Sequence, residues 1–398
     1  MAFEQNKQNK RNFLVIAVAL ILGIGGLIAA GIFLGWFDSL GQTSVDGSSN
    51  GSASDTVIHF VAGGDVNVTD AVVASGGTGG SYDYSDMLLD VVPVLSGADL
   101  TALNFEGSLY GEPYGTQSKS APQQLMTALK NSGVDLIQTA NSKSLTNGLR
   151  GLASTIYGIR QTGMQNLGTF TDRQEFERYQ GYLIREVNGI KIALVAFTKG
   201  MDGSALPAGS ENCVNLLYSD YYSSYSQINT EGITSVLQAA AKESPDITIA
   251  MLHWGGEYND IISSTQKKII KLMKQQGVDA IIGTHPHYVQ EMGFDKETGI
   301  FVAYSLGDFL SDGEKAGTNY SVLLDLEITK SGKTGKTQIT GYSYTPIYLH
   351  RGENGLKLLR IQEAMAAYEN KYIDCVSPEV YESMKSALSR IESRVSGK

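Results

Sequence analysis

The chain has 398 residues, of which 42% are hydrophobic and 18% are charged, and this composition is typical of a globular protein with a sizeable core. The formal net charge of −10 argues against a nucleic-acid-binding protein, because such proteins normally present a basic face. The protein can still bind a polyanionic partner, because a chain with a negative net charge can carry a local basic patch on its surface.

The N-terminal segment has the pattern of a membrane anchor. Residues 13–37 are apolar and uncharged, and they are long enough to cross a hydrocarbon core about 30 Å thick. Basic residues precede this stretch, which predicts that residues 1–12 are cytoplasmic and that everything after Asp38 lies outside the cell. A cleaved signal peptide has a shorter apolar core and a small-residue cleavage site. We therefore expect a single-pass protein of the cell membrane, held in the lipid bilayer by an uncleaved helix, with an extracellular C-terminal domain.

The predicted elements after the anchor indicate an α/β domain. Residues 38–55 are rich in Gly and Ser and are predicted to form a flexible linker. From residue 56 to 350, short apolar runs alternate with longer amphipathic segments. The predicted strands are Val57–Ala62, Leu100–Leu103, Val134–Gln138, Ile190–Phe197, Ile247–Leu252, Ala280–Ile282 and Ile300–Tyr304. The predicted helices are Gln123–Asn131, Leu149–Thr162, Thr230–Lys242 and Ser264–Gln276. Residues 351–398 carry two helical patterns and are predicted to form a helical tail.

The two cysteines of the chain leave their redox state open. Outside the membrane Cys213 and Cys375 can form a disulfide. Their separation along the sequence says nothing about their distance in space, so two unpaired and buried thiols fit the sequence equally well.

Polar residues beside glycine follow six of the predicted strands. In open α/β sheets, ligands gather beyond the carboxyl ends of the strands, and glycine lets the backbone approach a ligand closely. The side chains at these positions are therefore expected to converge on one site. Carboxylates and imidazoles together are natural ligands of zinc, manganese or iron. The residues concerned are Asp65, Asn104, Glu106, Asn141, His253, His285, His287 and Asp308.

The segment His285-Pro286-His287 is the most specific part of this pattern. Two of the five histidines of the chain lie here, and side chains two apart point the same way in an extended chain. Both imidazoles are therefore expected to reach one centre. Any single strand-end residue is a weak signal by comparison, because a turn aspartate or a packed histidine is the commoner explanation.

Six sequence blocks occur in the order found in a known family. They are GGDVNVTD, LNFEGSL, TANSKSLTNGLRGLASTI, LHWGGEY, IIGTHPHYVQ and AYSLGDF. Over residues 57–310 the chain resembles the CapA-type poly-γ-glutamate capsule biosynthesis proteins, membrane-anchored relatives of the calcineurin-like metallophosphatases. The resemblance implies a four-layer αββα sandwich with a pair of divalent transition metal ions (Mn, Zn or Fe). It also implies a role outside the cell in making or exporting an anionic surface polymer, with subunits of a membrane synthase complex as partners.

The resemblance also assigns roles to individual residues. It implies a set of metal ligands, with Asn104 in support: Asp65, Glu106, His253, His285 and His287. Trp254 and Glu257 belong to the same block as His253 and are expected to pack against the site or support it.

One block departs from the family pattern. Relatives usually read Asn-Asn-His, with the second Asn as a ligand and the His stabilising or protonating the leaving oxygen, whereas this chain reads Asn141-Ser142-Lys143. Lysine has a reference pKa about four units above that of histidine, so it is a poor proton shuttle near neutral pH. Likewise, Asp308 stands where Asn is usual. Asn141 and Lys143 are the candidate catalytic residues, with Ser142 in support.

Three functional hypotheses follow from these residues. In the first, the site is a working metal-dependent hydrolase of capsule synthesis in which Lys143 supplies a fixed cation. In the second, hydrolysis has been lost, and the fold binds a polymer end or a partner subunit. In the third, the protein is a general surface metallophosphoesterase, which would be expected to carry an added nucleotide-binding domain that this sequence does not obviously contain.

Overall fold

The computed structural model describes residues 54–353, 355–372 and 376–397. The predicted cytoplasmic segment, the anchor at residues 13–37 and nearly all of the linker lie outside these ranges, as does Cys375. None of the helices within these ranges combines the length and the apolar character that a membrane span requires. Cys213 is buried and forms no disulfide within the described ranges, so its pairing with Cys375 stays open.

Two β-sheets form the centre of the described part of the chain, one with eight strands and one with six. The first sheet contains β1 (Thr56–Asn67), β2 (Leu100–Glu106), β3 (Leu136–Gln138), β4 (Gln165–Leu167), β11 (Asp308–Leu310), β12 (Tyr320–Lys330), β13 (Thr337–Gly352) and β14 (Gly355–Arg360). The second contains β5 (Tyr182–Val187), β6 (Ile190–Thr198), β7 (Ile247–His253), β8 (Ala280–Thr284), β9 (Met292–Phe294) and β10 (Phe301–Ala303).

Helices connect the strands. They are α1 (Asp70–Ser75), α2 (Ser85–Leu88), α3 (Val92–Leu95), α4 (Gln123–Asn131), α5 (Gly148–Gln161), α6 (Arg173–Tyr179), α7 (Thr230–Lys242), α8 (Ser264–Gln275), α9 (Ile361–Glu369) and α10 (Pro378–Val395). The four helices predicted from the sequence correspond to α4, α5, α7 and α8, with ends that agree within one residue.

The central strands of both sheets are parallel. In the first sheet the order is β14-β13-β12-β1-β2-β3-β4, with β1 to β4 parallel and β12 to β14 added antiparallel. The eighth strand, β11, lies off this path and pairs parallel with the end of β1. In the second sheet the order is β5-β6-β7-β8-β10-β9, with β6, β7, β8 and β10 parallel. Parallel strands are covered on both faces and read as nearly continuous apolar runs, and β2 and β7 are indeed buried along their whole length.

Three layers of apolar side chains separate four layers of secondary structure. Between the sheets, Phe60 of β1 belongs to the same core cluster as Leu194 of β6. A second cluster joins Leu125 of α4 to the outer face of the first sheet. A third joins Met273 of α8 to the outer face of the second sheet. The αββα sandwich expected from the sequence is therefore confirmed.

The C-terminal tail contributes to the sheet as well as to the helices. The prediction of a purely helical segment from residue 351 was wrong for β14, which pairs antiparallel with β13. Leu356 and Leu358 of β14 are buried on either side of the more exposed Lys357, and this period of two is that of a strand. The two helical patterns correspond to α9 and α10, and Met384 of α10 is buried in the cluster between the sheets.

Replacing Ile249 by alanine tests the layer between the sheets. Ile249 of β7 is fully buried in this layer, so Ile249→Ala is expected to lower the free energy of unfolding by about 2–5 kcal/mol in chemical denaturation. The matched control is Ile261→Ala, because Ile261 is 73% exposed and its loss is expected to change stability by less than about 0.5 kcal/mol. Equal effects of the two substitutions would contradict the assignment of this layer.

Candidate metal centre

Close contact between two backbones positions Asp65. The sequence places Asp65 after a strand, but β1 continues to Asn67 with an irregularity in its pairing between Ala62 and Asp65. A Cβ atom at Gly64 would overlap the carbonyl oxygen of Gly307, and the amide of Asp65 donates a hydrogen bond of 3.0 Å to that oxygen. Glycine at position 64 therefore lets β1 approach the loop before β11 and brings the Asp65 carboxylate to the end of the sheet.

The first sheet supplies two buried carboxylates and an amide. Asn104 and Glu106 of β2 are two positions apart, so their side chains lie on the same face of the strand. Asn104 Nδ2 donates a hydrogen bond of 2.6 Å to Asp65 Oδ1. All three side chains are buried, with at most 1% of their surface exposed.

The second sheet supplies the imidazoles. His253 ends β7, and His285 follows β8. The ring centroids of His253 and His285 lie 4.5 Å apart, and His253 Nε2 lies 3.6 Å from Glu106 Oε1. The amide of His285 donates a hydrogen bond of 3.0 Å to Asp65 Oδ2. Strand ends of both sheets thus meet at one cluster.

The backbone that carries the two neighbouring histidines is not extended, and the sequence-based expectation was wrong on this point. β8 ends at Thr284, and φ is 96° at His285 and 60° at His287, in the left-handed region that non-glycine residues rarely adopt. The rings still face one cluster, with centroids 6.0 Å apart. The turn that follows β8, rather than the alternation of a strand, brings them together.

His287 forms an ion pair with Asp308. His287 Nδ1 lies 2.7 Å from Asp308 Oδ1, and Asn67 Nδ2 donates a hydrogen bond of 2.9 Å to the same oxygen. Burial disfavours the charged imidazole, but the carboxylates of Asp308, Glu106 and Asp65 outweigh this effect and raise the pKa of His287 to about 10. Asp308, which replaces the usual Asn of the family, therefore gives this histidine a charged partner.

The cluster is short of positive charge. Burial is the main cause that raises the pKa of Glu106 to about 8 and that of Asp65 to about 6. Within the described part of the chain, Glu106 Oε1 has no hydrogen-bond partner. Burial also holds the pKa values of His253 and His285 well below the ordinary value, so both imidazoles are neutral. Neutral imidazoles and carboxylate oxygens are the donors that a divalent transition metal ion prefers. The residues present fit such an ion.

Among the residues that the structure describes, three groups of donor atoms are close enough together to hold an ion. In each group the atoms lie within 4.8 Å of one another, and all the residues are buried. The groups are Asp65, Glu106 and His253; Glu106, His285 and His287; and Asp65, His287 and Asp308. The five ligands expected from the sequence thus lie together, and Asp308 joins them.

The block that departs from the family pattern, Asn141-Ser142-Lys143, lies at the edge of this cluster. Ser142 Oγ lies 2.9 Å from His253 Nε2 and 3.4 Å from His285 Nδ1. Lys143 Nζ donates a hydrogen bond of 2.5 Å to Asp202 Oδ2. Burial by itself lowers the pKa of Lys143, but Asp202 and the charge of Glu106 outweigh it, so the pKa is raised above its ordinary value and the side chain is a cation.

Asn141 is engaged in scaffold contacts. Its Nδ2 donates to Asn104 Oδ1 at 3.0 Å and to the carbonyl oxygen of Phe105 at 2.7 Å, while its Oδ1 accepts the amide of Lys143 at 2.9 Å. These bonds fix the position of the Ser142 and Lys143 backbone relative to β2. The catalytic role expected of Asn141 remains a prediction.

The two supporting residues of the His253 block have different surroundings. Trp254 is fully buried, donates a hydrogen bond of 3.0 Å to the carbonyl oxygen of Tyr304 and stacks on the Tyr304 ring. It packs behind the cluster. Glu257 is exposed and lines a cavity beside the cluster.

Lys199 is a site residue that was not predicted from the sequence. Its Nζ donates a hydrogen bond of 2.8 Å to the carbonyl oxygen of Gly255 and lies 3.4 Å from His285 Nε2. The sequence does carry a signal for it, because β6 ends at Thr198 and Lys199-Gly200 follows, a polar residue beside glycine as at the other strand ends. The cavity at this point has a volume of about 260 Å³, and its lining residues are Ser142, Lys199, Gly200, Asp202, Tyr225, Glu257 and His285.

Comparison with known families identifies the group of proteins that shares these features. Residues 59–313 match the family described as bacterial capsule synthesis protein PGA_cap. The chain belongs to this family. The match extends across every predicted site residue from Asp65 to Asp308, and it is consistent with the resemblance inferred from the sequence blocks.

Two curated proteins of Bacillus are similar to this member of the PGA_cap family. The PGA biosynthesis protein CapA of Bacillus subtilis (strain 168) is 27% identical over 265 residues, which cover 65% of this chain and 64% of that protein. The capsule biosynthesis protein CapA of Bacillus anthracis is 26% identical over 261 residues, which cover 63% of this chain and 60% of that protein. The similarity thus spans less than two thirds of the length of either relative.

Solved structures with similarity to the chain include phosphatases. A novel phosphatase of Mycoplasma pneumoniae has a TM-score of 0.44 and 17% identity, covering 74% of this chain and 94% of that chain. The calcineurin-like phosphoesterase YfkN of Bacillus subtilis has a TM-score of 0.45 and 16% identity, covering 73% of this chain and 90% of that chain.

Replacing Glu106 by glutamine tests the metal-binding capacity of the cluster. We expect Mn²⁺ or Zn²⁺, added to the chelator-treated full-length protein, to raise the midpoint of thermal unfolding, because an ion that binds only the folded state at 100 times its Kd adds about 2.7 kcal/mol of stability. Glu106→Gln should remove most of this increase, since it replaces the unpartnered carboxylate by a neutral amide.

The control for this experiment is Glu297→Gln, which removes a surface carboxylate paired with Lys271. This variant should keep the full stabilisation by metal. A metal-induced shift of the same size in the Glu106→Gln protein would show that the cluster is not the site of binding.

Proposed function

We propose that this protein takes part in the biosynthesis or export of an anionic capsule polymer such as poly-γ-glutamate, and that its buried cluster is a metal-dependent hydrolytic site. Membership of the PGA_cap family supports the capsule role, as do the names of the two Bacillus relatives. The family match favours this role over that of a general surface phosphoesterase.

One observation carries the hydrolytic part of the proposal. Glu106 Oε1 is buried without a hydrogen-bond partner among the described residues, 3.6 Å from the neutral His253 ring, and four further donor side chains belong to the same cluster. In this proposal a pair of Mn, Zn or Fe ions is held by Asp65, Glu106 and the three histidines. When bound, such ions polarise a phosphoryl or carbonyl oxygen and activate water as a nucleophile.

The surrounding residues of the chain orient the ligands. Asn104 and the amide of His285 each donate a hydrogen bond to Asp65, which fixes both carboxylate oxygens. Asp308 accepts from the His287 ring and thereby selects which ring nitrogen faces the cluster. Lys143 supplies a fixed positive charge at the place where relatives have a histidine, so it stabilises negative charge without shuttling a proton.

The residues Ser142 and Lys143, which depart from the family pattern, support binding without hydrolysis as a second candidate function. Ser142 offers a hydroxyl where the family has an amide ligand, and Lys143 is tied to Asp202. In this version the fold binds a polymer end or a partner subunit of the membrane synthase and does not hydrolyse a substrate.

The cellular location is part of the proposal. The apolar stretch at residues 13–37, preceded by basic residues, supports a single-pass anchor with the α/β domain outside the cell. In that position the site would face a surface polymer and the outer parts of a membrane synthase complex.

Metal content and turnover together test the hydrolytic site. The purified full-length protein is expected to hold about two ions per chain in elemental analysis and to hydrolyse a generic phosphodiester or a γ-linked glutamate oligomer when manganese is added. His285→Ala should lose metal and at least about 100-fold in turnover, because it removes a ligand from the pair.

Lys143→His separates the two candidate functions, because it restores the imidazole of the family pattern. Metal binding without turnover in the natural protein, followed by turnover in Lys143→His, would support the binding function. Absence of both metal and turnover from all three proteins would contradict the hydrolytic proposal.

A further inference from the structure

One lysine and two acids line the cavity next to the cluster, and a second lysine is bonded to one of these acids. Lys199, Asp202 and Glu257 line the cavity, and Lys143 reaches it through its bond to Asp202. His285 and Ser142 form the wall towards the metal ligands. Any group that fills this cavity would therefore lie directly against the candidate centre.

Lys199 is fixed from several sides. Its Nζ donates to the carbonyl oxygen of Gly255, contacts His285 Nε2 and lies 4.7 Å from the centroid of the Tyr225 ring. An ammonium group has three donors and no acceptor. No carboxylate within the described ranges forms an ion pair of 4.0 Å or less with Lys199. The lysine therefore has charge to offer an incoming anion.

Lys143 is held more firmly than its partner. The Lys143 side chain is only 18% exposed, whereas the Asp202 side chain is 51% exposed. Asp202 lies in a turn of the loop after β6. Ion pairs with an exposed partner contribute little net stability, because water solvates the released carboxylate well. The ion pair between Asp202 and Lys143 can therefore break at little cost on the side of Asp202. Lys143 is partly buried, so its charge is stabilised when another anion takes the place of Asp202.

We propose that Lys143 and Lys199 form an oxyanion subsite beside the candidate metal centre. In the absence of substrate Asp202 forms an ion pair with Lys143, and an anionic group of the substrate displaces it. The ligand is a carboxylate or a phosphate group carried by the substrate. This assignment rests on the proposed function for its substrate class, and it adds a specificity-determining pair to that site. Glu257, which is exposed on the same cavity, keeps the local charge balanced before binding.

Anion binding to the metal-free protein tests the subsite without reference to turnover. Inorganic phosphate and glutarate are titrated calorimetrically into the full-length protein in the presence of EDTA. Asp202→Asn is expected to tighten binding about fivefold, because the competing carboxylate is gone. Lys199→Gln is expected to weaken it about tenfold, because a charged hydrogen-bond donor is lost.

Charge-matched controls come from the surface pair of Lys271 and Glu297, whose Nζ and Oε1 lie 2.7 Å apart. Glu297→Gln and Lys271→Gln change the net charge by the same amounts as the two test variants, so they should leave anion binding unchanged. A preference for phosphate indicates a phosphoester substrate, and a preference for glutarate indicates the carboxylates of a polymer.

Equal or weaker anion binding by Asp202→Asn would overturn the proposal, as would unchanged binding by Lys199→Gln. Such a result together with metal-dependent turnover would reject the subsite alone. The expected anion binding in a protein that shows neither metal nor turnover would reject the hydrolytic function and leave the subsite standing.

Discussion

Burial of carboxylates without enough positive charge is the constraint on which the rest of the site depends. Asp65 and Glu106 are removed from water, and His253 and His285 are neutral, so His287 is the charged imidazole beside them. That imidazole is already paired with Asp308, and Glu106 Oε1 has no hydrogen-bond partner among the described residues. An arrangement of this kind is unfavourable for a protein alone, because burying a charge costs several kcal/mol unless a counter-charge is close. A bound cation removes this cost, and the fold brings the strand ends of two sheets together around the point where it would lie.

The sequence allowed much of the fold and the cluster to be predicted. Strands such as β2 and β7 are buried on both faces and therefore appear as apolar runs, and the amphipathic helices α4, α5, α7 and α8 carry a clear period. The antiparallel extension was harder to predict. Much of β13 is polar and partly exposed, with an alternating burial pattern, so no apolar run marks it. The short strand β14 directly precedes the helix α9, so its residues were included in the helical pattern predicted for the tail.

Local geometry set the other limits of prediction. Spacing along the sequence indicated that His285 and His287 face one centre, but not the positive φ values that achieve it. Lys199 was not predicted as a site residue because a lysine after a strand is common. Its contact with His285 becomes visible only in the folded structure. Asn141 has the residue type expected of a site residue, yet its side-chain bonds hold the Lys143 loop against β2.

Charged side chains surround the cluster of candidate ligands. Lys143 is a cation where the family resemblance implies a titrating ring, and Asp308 is a carboxylate, paired with His287, where the resemblance implies an amide. Lys199 adds a further amino group beside His285. A site of this kind is suited to an anionic substrate, in agreement with a role in the metabolism of an anionic polymer.

Anomalous X-ray scattering from crystals of the protein soaked in manganese would show whether the buried cluster holds metal. We expect anomalous peaks among the side chains of Asp65, Glu106, His253, His285 and His287. Crystals that show no peak there, or that show manganese only on surface carboxylates, would mean that the cluster is not a metal centre.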